Sequence, residues 1–191
     1  MERIKQLLSD SMAVKAKMLA EPKSINEIQA IADALVHMYR EGGRLFVCGN
    51  GGSAADSQHF VTELVSMFEK KDRQPLPALA LTTNTSLITA ISNDISFDSI
   101  FSRQVRAFGN QDDILLVIST SGSSKNILAA LEIAQELNME TIGLLGGTGG
   151  DAIHQVDYSV VVPDDNTARI QEAHITIIHI LCKIIEDSLF I

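Results

Sequence analysis

Five short apolar runs, separated by segments with helical periodicity, constrain the fold of this chain more than any other feature. They are RLFVC (44–48), PALAL (77–81), DILLVIS (113–119), ETIGLL (140–145) and YSVVVP (158–163), each bounded by Gly, Pro, Asn or Asp. Their apolar residues are continuous rather than alternating, which is typical of strands covered on both faces. The helical segments between them supply the crossovers of a parallel sheet. The pattern predicts a doubly wound α/β fold, a three-layer αβα sandwich with a five-stranded parallel sheet.

Long helices are predicted at both ends of the chain. Residues 2–19 have helical periodicity, and so do residues 24–43, where Ser24 and Glu27 have the spacing of a capping box and Gly42-Gly43 marks the end. Residues 167–190 form one long apolar helix in the same interpretation. Because 191 residues suffice for one well-buried core, we expect a single domain over residues 1–191 with an N-terminal helical extension.

Charge and composition exclude several functional classes. The formal net charge is −9, and no basic run is longer than Lys70-Lys71, so direct contact with nucleic acid is not expected. No apolar stretch reaches the length of a membrane span, and the first residues lack the apolar run of a secretory signal. We expect a cytoplasmic protein that does not bind membranes, in which Cys48 and Cys182 are buried thiols.

Two glycine- and serine-rich segments follow predicted strands, at the edge where parallel sheets bind ligands. They are GNGGS (49–53) and STSGSS (119–124). Glycines let the backbone approach an anion, and amides at a helix N-terminus together with serine hydroxyls favour phosphate. Either loop alone fits an ordinary turn equally well, but two such loops at one edge favour a phosphate site. A third turn, GGTGGD (146–151), has no serine cluster and is interpreted as a connection.

Ionisable side chains follow the first loop and recur on the last helix. His59 and Glu63 are four residues apart, so they share one helix face and can point at one target. The same spacing also fits a surface ion pair. The last helix carries Gln171, His174 and His179, and a histidine on so apolar a helix is either a ligand or a hydrogen-bonded core residue. The spacing alone leaves both interpretations open.

Taken together, these segments resemble the phosphoheptose isomerases, a family within the sugar isomerase (SIS) domain group. The resemblance is carried by CGNGGSAADSQHFVTEL (48–64), ISND (91–94), STSGSSKNIL (119–128) and ARIQEAHITIIHIL (168–181), in that order over most of the chain. It implies a homotetrameric cytoplasmic enzyme. Such an enzyme interconverts sedoheptulose 7-phosphate and D-glycero-D-manno-heptose 7-phosphate, which supplies heptose for the lipopolysaccharide core or other surface glycans.

The resemblance also implies the roles of individual residues. The zinc ligands would be His59, Glu63, Gln171 and His179. The substrate would be bound by Asn50, Gly51, Gly52, Glu63, Asn93, Asp94, Ser119, Thr120, Ser121, Ser124 and Gln171. Aldose–ketose isomerisation requires a base, an acid and a group that polarises the carbonyl, and we assign these roles to Glu63, His179 and zinc. His174 is expected to make a structural hydrogen bond. The chain departs from the family at Met67, where many members have arginine, and at Ala168, where some have aspartate.

The C-terminal helix suggests that the active site lies at a subunit boundary. Gln171 and His179 are eight residues apart, about 12 Å of helical rise, so one ion reaches both only between extended side chains or with help from another subunit. The helix is also apolar over most of its circumference, which predicts packing between protomers.

Two non-enzymatic alternatives remain within the same domain group. One is a scaffold of the DnaA initiator-associating type, and the other is a sensor that binds sugar phosphate without turnover. The convergent set of His59, Glu63, Gln171 and His179 favours the enzyme, because a scaffold has no need of such ligands and a sensor has no need of Glu63.

Overall fold

A five-stranded, entirely parallel sheet forms the middle layer of the structure, a computed structural model that describes residues 1–190. The strand order is β2-β1-β3-β4-β5, and every neighbouring pair is parallel. The strands are β1 (Leu45–Gly49), β2 (Ala78–Ala80), β3 (Ile114–Ser119), β4 (Glu140–Gly146) and β5 (Tyr158–Val162). Each predicted run therefore forms a strand, although the edge strand β2 is shorter than its run. The chain reverses its direction of winding between β1 and β3, as a doubly wound sheet requires.

Helices cover both faces of the sheet and complete the predicted three-layer sandwich. They are α1 (Glu2–Ala20), α2 (Pro22–Arg40), α3 (Gly52–Val65), α4 (Thr85–Asp94), α5 (Ser102–Phe108), α6 (Lys125–Glu136) and α7 (Thr167–Leu189). Successive side chains of β3 enter opposite cores: Leu116 packs with α2, α3 and α7, and Val117 packs with α5 and α6. Both are fully buried, which explains why the strand sequences do not alternate.

Helix α2 begins earlier than its sequence indicates, so the predicted capping box is wrong. The helix starts at Pro22, with Glu21 as the residue before it, and Ser24 lies buried in the first turn. Proline suits the first helical position because its φ angle is preset and it has no N–H to leave unpaired. The predicted end is confirmed, since Gly42 has a φ of 85° just beyond the helix.

The apolar circumference of α7 is mostly covered within the same chain. Ile170, Ile177, Ile178, Leu181 and Ile185 are buried in the core shared with α2 and α3. Burial within the chain therefore accounts for most of this apolar surface, and packing of α7 between protomers stays a prediction. Ile180, in contrast, is 40% exposed to solvent.

The expectation that both cysteines are buried thiols is confirmed by the fold. Cys48 and Cys182 are free and buried, and burial raises the pKa of the Cys182 thiol to about 12. Within residues 1–190, none of the helices has the length and apolar character needed to cross a membrane.

Candidate active site

A cavity of about 330 Å³ opens where β1 and β3 end, between the two glycine- and serine-rich loops. It is lined by Asn50, Gly51, Gly52, Ser53, Ile118, Ser119, Thr120, Ser121, Ser124, Thr167 and Gln171. Helix α3 begins at Gly52 and α6 begins at Lys125, so two helix N-termini open beside this cavity. Free amides at a helix N-terminus attract anions. The two loops thus meet as predicted, in a cavity suited to a phosphate group.

The serine loop is held by packing and by its own hydrogen bonds. Ser119 Oγ accepts a hydrogen bond from the Gly122 amide at 3.0 Å. Gly122 has a φ of 63°, and a Cβ there would lie 1.9 Å from the carbonyl oxygen of Gly149. The Gly122 carbonyl in turn accepts from the Ala152 amide at 2.9 Å. The GGTGGD turn is therefore more than a connection, because it supports the loop from behind and makes glycine necessary at 122.

An asparagine that sequence reasoning missed ties the two loops together. Asn126 is 2% exposed and exchanges two side-chain hydrogen bonds with Asn50, each 2.9 Å long. A buried amide stabilises a structure when its hydrogen bonds are satisfied, as here. In the sequence, the one sign of this role was that Asn126 is a polar residue next to Ile127 on the buried face of α6.

Three of the four predicted metal ligands lie close together, about two helical turns from the loop cavity along α3 and α7. Glu63 Oε1 lies 3.2 Å from His59 Nε2, which in turn lies 3.1 Å from His179 Nε2. One ligand atom from each residue lies within 4.8 Å of the others. Two imidazole nitrogens at this distance either share one proton or face a common ion. Two imidazoles and a carboxylate are a set of donors that zinc accepts in catalytic sites, where a fourth position stays open to water or substrate.

The surroundings of this cluster are partly protected from water. The side chains of His59 and Glu63 are 43% and 24% exposed. The Phe68 ring packs beside the His179 ring, with centroids 5.7 Å apart. Asp56, three residues before His59, has one buried carboxylate oxygen without a hydrogen-bond partner among residues 1–190. Burial raises the pKa of this carboxyl, an effect that nearby His59 opposes.

Gln171, the fourth predicted ligand, lies in the wall of the loop cavity. Its amide packs so closely on Gly52 that a Cβ at that position would lie 2.4 Å from Gln171 Nε2. Helices α3 and α7 therefore run side by side in the same direction, with Gly52 against Gln171 at one end and His59 against His179 two turns further on. Direct ligation by Gln171 stays a prediction.

Asn93 and Asp94 do not line this cavity within the part of the chain that the structure describes. They end α4, are exposed, and hydrogen-bond to each other at 2.7 Å. Their assignment to the substrate stays a prediction, as do the roles of the other site residues. Ala168, a departure from the family pattern, is exposed beside the cavity-lining Thr167.

The structural role expected for His174 is confirmed. This residue is fully buried, and its Nε2 donates a hydrogen bond to the carbonyl oxygen of Leu145 at 2.9 Å. Burial lowers the pKa of His174 to about 4, so the ring is neutral at physiological pH. It therefore takes no part in the cluster formed by His59, Glu63 and His179.

This chain is similar to known proteins in both sequence and fold. A model of the SIS domain family matches residues 10–146. The phosphoheptose isomerase of Clostridium acetobutylicum is 48% identical over 187 residues, which are 98% of this chain and 95% of that protein. The phosphoheptose isomerase of Geotalea daltonii is 53% identical over 169 residues, 88% of this chain and 85% of that protein. A solved phosphoheptose isomerase from Francisella tularensis has a TM-score of 0.92 and 44% identity over 97% of each chain.

Proposed function

The chain belongs to the phosphoheptose isomerase family of SIS domains. We propose that it interconverts sedoheptulose 7-phosphate and D-glycero-D-manno-heptose 7-phosphate. The chain is an aldose–ketose isomerase, and its reaction supplies heptose for surface glycans. The observation that carries the proposal is the separation of two features along α3 and α7. The phosphate-type cavity lies at one end, and the cluster of His59, Glu63 and His179 lies two turns away. In a heptose 7-phosphate, the phosphate is likewise at the far end from the reacting carbons.

The cluster contains the groups that isomerisation through an enediol requires. Glu63 takes a proton from the carbon beside the carbonyl, while His179 gives a proton to the carbonyl oxygen. Glu63 then returns a proton to the neighbouring carbon, and the other oxygen loses its proton to His179, which restores both side chains to their starting states. The Phe68 ring packs against one side of the His179 ring.

The same cluster fits a metal ion, which we propose to be zinc. His59, Glu63 and His179 would hold it, with Gln171 as the fourth ligand, because imidazole nitrogen and carboxylate oxygen are the donors that zinc prefers. When bound, zinc polarises a carbonyl group and so lowers the barrier to loss of the adjacent proton.

Direct conversion of substrate tests the proposed function. The protein is incubated with sedoheptulose 7-phosphate, with and without a metal chelator, and the products are separated. We expect the aldose isomer without chelator, and a strong loss of turnover with it that added zinc restores. The absence of any conversion by metal-loaded protein would favour a non-catalytic scaffold or a sensor instead.

The serine loop should bind the phosphate without help from a basic side chain. Lys125 is the first basic residue after Ser119, so hydroxyls and backbone amides carry the binding. Replacing Ser121 and Ser124 together by alanine should raise KM at least about tenfold, because each lost hydrogen bond to a charged group costs about 1.5–3 kcal/mol. Zinc content should stay at the wild-type level. Ser159→Ala, on β5 away from the loop, is the matched control. An unchanged KM in the double variant would place the phosphate elsewhere.

We also propose that the protein assembles as a homotetramer with its active sites at subunit boundaries. Exposed apolar side chains on α1 support this, since Ile4, Leu8 and Met12 are 64%, 62% and 71% exposed. Asn93 and Asp94 lie on the surface of their own chain, where a second copy can use them. Isomerase activity measured across a gel-filtration profile should coincide with the tetramer. A fully active monomer would contradict the proposal.

A further inference from the structure

A buried ion pair lies next to the catalytic cluster, and the mechanism above does not use it. Arg73 Nε donates to Glu186 Oε1 at 2.6 Å, and both side chains are 2% exposed. Glu186 is on α7, two turns beyond His179, and Arg73 follows the end of α3. The pair therefore continues the series of contacts that joins α3 to α7 at Gly52 and at His59.

Arg73 also holds the main chain of the proposed base. Its guanidinium donates to the carbonyl oxygen of Glu63, and to that of Leu64 at 2.8 Å. Both carbonyls belong to the last turn of α3, where no further helical amide is present to bind them. The end of α3, and with it the Cα of Glu63, is thus held by the buried Arg73 side chain, together with the Leu76 amide, which also donates to the Leu64 carbonyl at 3.1 Å.

Glu186 organises the segment that covers His179. Its carboxylate accepts hydrogen bonds from the main-chain amides of Phe68, Glu69 and Lys70, at 3.3, 2.9 and 2.9 Å. This places the Phe68 ring beside the imidazole of His179. The ion pair is therefore linked to Glu63 by hydrogen bonds to the main chain of α3. It is linked to His179 because Glu186 is on the same helix and because Phe68 packs against the imidazole.

We propose that Arg73 and Glu186 are positioning residues that set the separation between Glu63 on α3 and His179 on α7. A buried ion pair adds little net stability, because loss of hydration offsets most of its attraction. A catalytic cluster built on two elements, in contrast, requires its side chains to be held within about 0.5 Å. This inference rests on the proposed function, and it concerns how that site keeps its geometry.

The test replaces Arg73 by lysine. Lysine keeps the charge opposite Glu186, but its donors all lie on one nitrogen, which cannot reproduce the three separate guanidinium nitrogens that donate to Glu186 and to the two α3 carbonyls. We expect zinc affinity, measured by competition with a chromophoric chelator, to fall about 10–100-fold, as for other groups that orient metal ligands. We expect kcat to fall by a similar factor while KM stays within about twofold, because the phosphate loop is untouched.

Arg44→Lys is the matched control. Arg44 also pairs with a carboxylate, that of Asp113, at 2.8 and 3.2 Å, and donates to the Phe108 carbonyl, but its side chain is 44% exposed and it lies at the amino ends of β1 and β3, opposite the site. This control should lower the melting temperature and leave kcat and zinc affinity unchanged. A comparable loss of kcat in both variants would overturn the inference, because the effect would then follow stability alone.

A second variant separates positioning from folding. Arg73→Gln combined with Glu186→Gln removes both charges but keeps amide groups that can still hydrogen-bond to nearby main-chain carbonyls and amides, while the shorter glutamine at 73 cannot span Glu186 and both α3 carbonyls. The double variant should therefore fold and still lose kcat and zinc affinity. Wild-type values of both in either folded variant would overturn the inference and leave the proposed function intact. If the wild-type protein itself neither binds zinc nor converts substrate, the proposed function fails first.

Discussion

Replacing Glu63 by glutamine should lower the rate of solvent deuterium incorporation into sedoheptulose 7-phosphate by about 10²–10⁴-fold, the usual contribution of a general base. Glutamine keeps the shape of the side chain and an oxygen that can face the cluster, but a neutral amide cannot accept a carbon-bound proton at a useful rate. KM should change little, since the phosphate cavity lies about three turns away along α3. The measurement uses deuterium exchange because it reports proton abstraction even when net conversion is small.

Glu69→Gln provides the control for the loss of charge. Glu69 lies four residues beyond the end of α3, and its side chain is 58% exposed in an ion pair with Lys183 at 2.8 Å. This substitution changes the same chemical group near the site without altering the proposed base. Exchange in Glu63→Gln at the rate of Glu69→Gln would remove Glu63 from the role of base.

Replacing His179 by alanine should abolish turnover and weaken metal binding together. The imidazole is both the proposed acid and one of the three clustered ligands, and it also packs against Phe68 and His59. We expect kcat to fall at least about a hundredfold. Bound zinc should fall in parallel, as measured by elemental analysis after gel filtration.

His174→Ala tests whether any histidine of α7 has the same effect. The buried ring donates to the Leu145 carbonyl, so its replacement removes this buried hydrogen bond at a cost of about 0.5–1.5 kcal/mol. The free energy of unfolding should fall, while zinc content and kcat of the folded protein remain close to wild type. Retention of zinc and turnover in His179→Ala would exclude the imidazole from both roles.

The sequence was sufficient for the sheet and for the loops of the site. Strands buried on both faces have continuous apolar sequences such as ILLVI in β3, and this pattern is local enough to read without a structure. Glycines and serines directly after β1 and β3 then have to meet, because parallel strands end at a common edge. Helix boundaries are harder to predict, as the start of α2 shows. Proline and serine are both common at helix starts, and the sequence alone does not distinguish a start at Pro22 from one at Ser24.

By itself, then, the sequence determined the layer order, the two loops, and the shared face of His59 and Glu63, since these depend on local periodicity and strand direction. The tertiary structure decided which histidine of α7 joins that face. His174 and His179 are both on the same apolar helix, and only the packing of α7 on α3 and on β4 turns His179 toward Glu63 and His174 toward Leu145. Packing likewise revealed Asn126 and the pair of Arg73 with Glu186, whose partners are 76 and 113 residues away in the chain. Contacts between residues this far apart depend on how helices pack, and local periodicity carries no information about them.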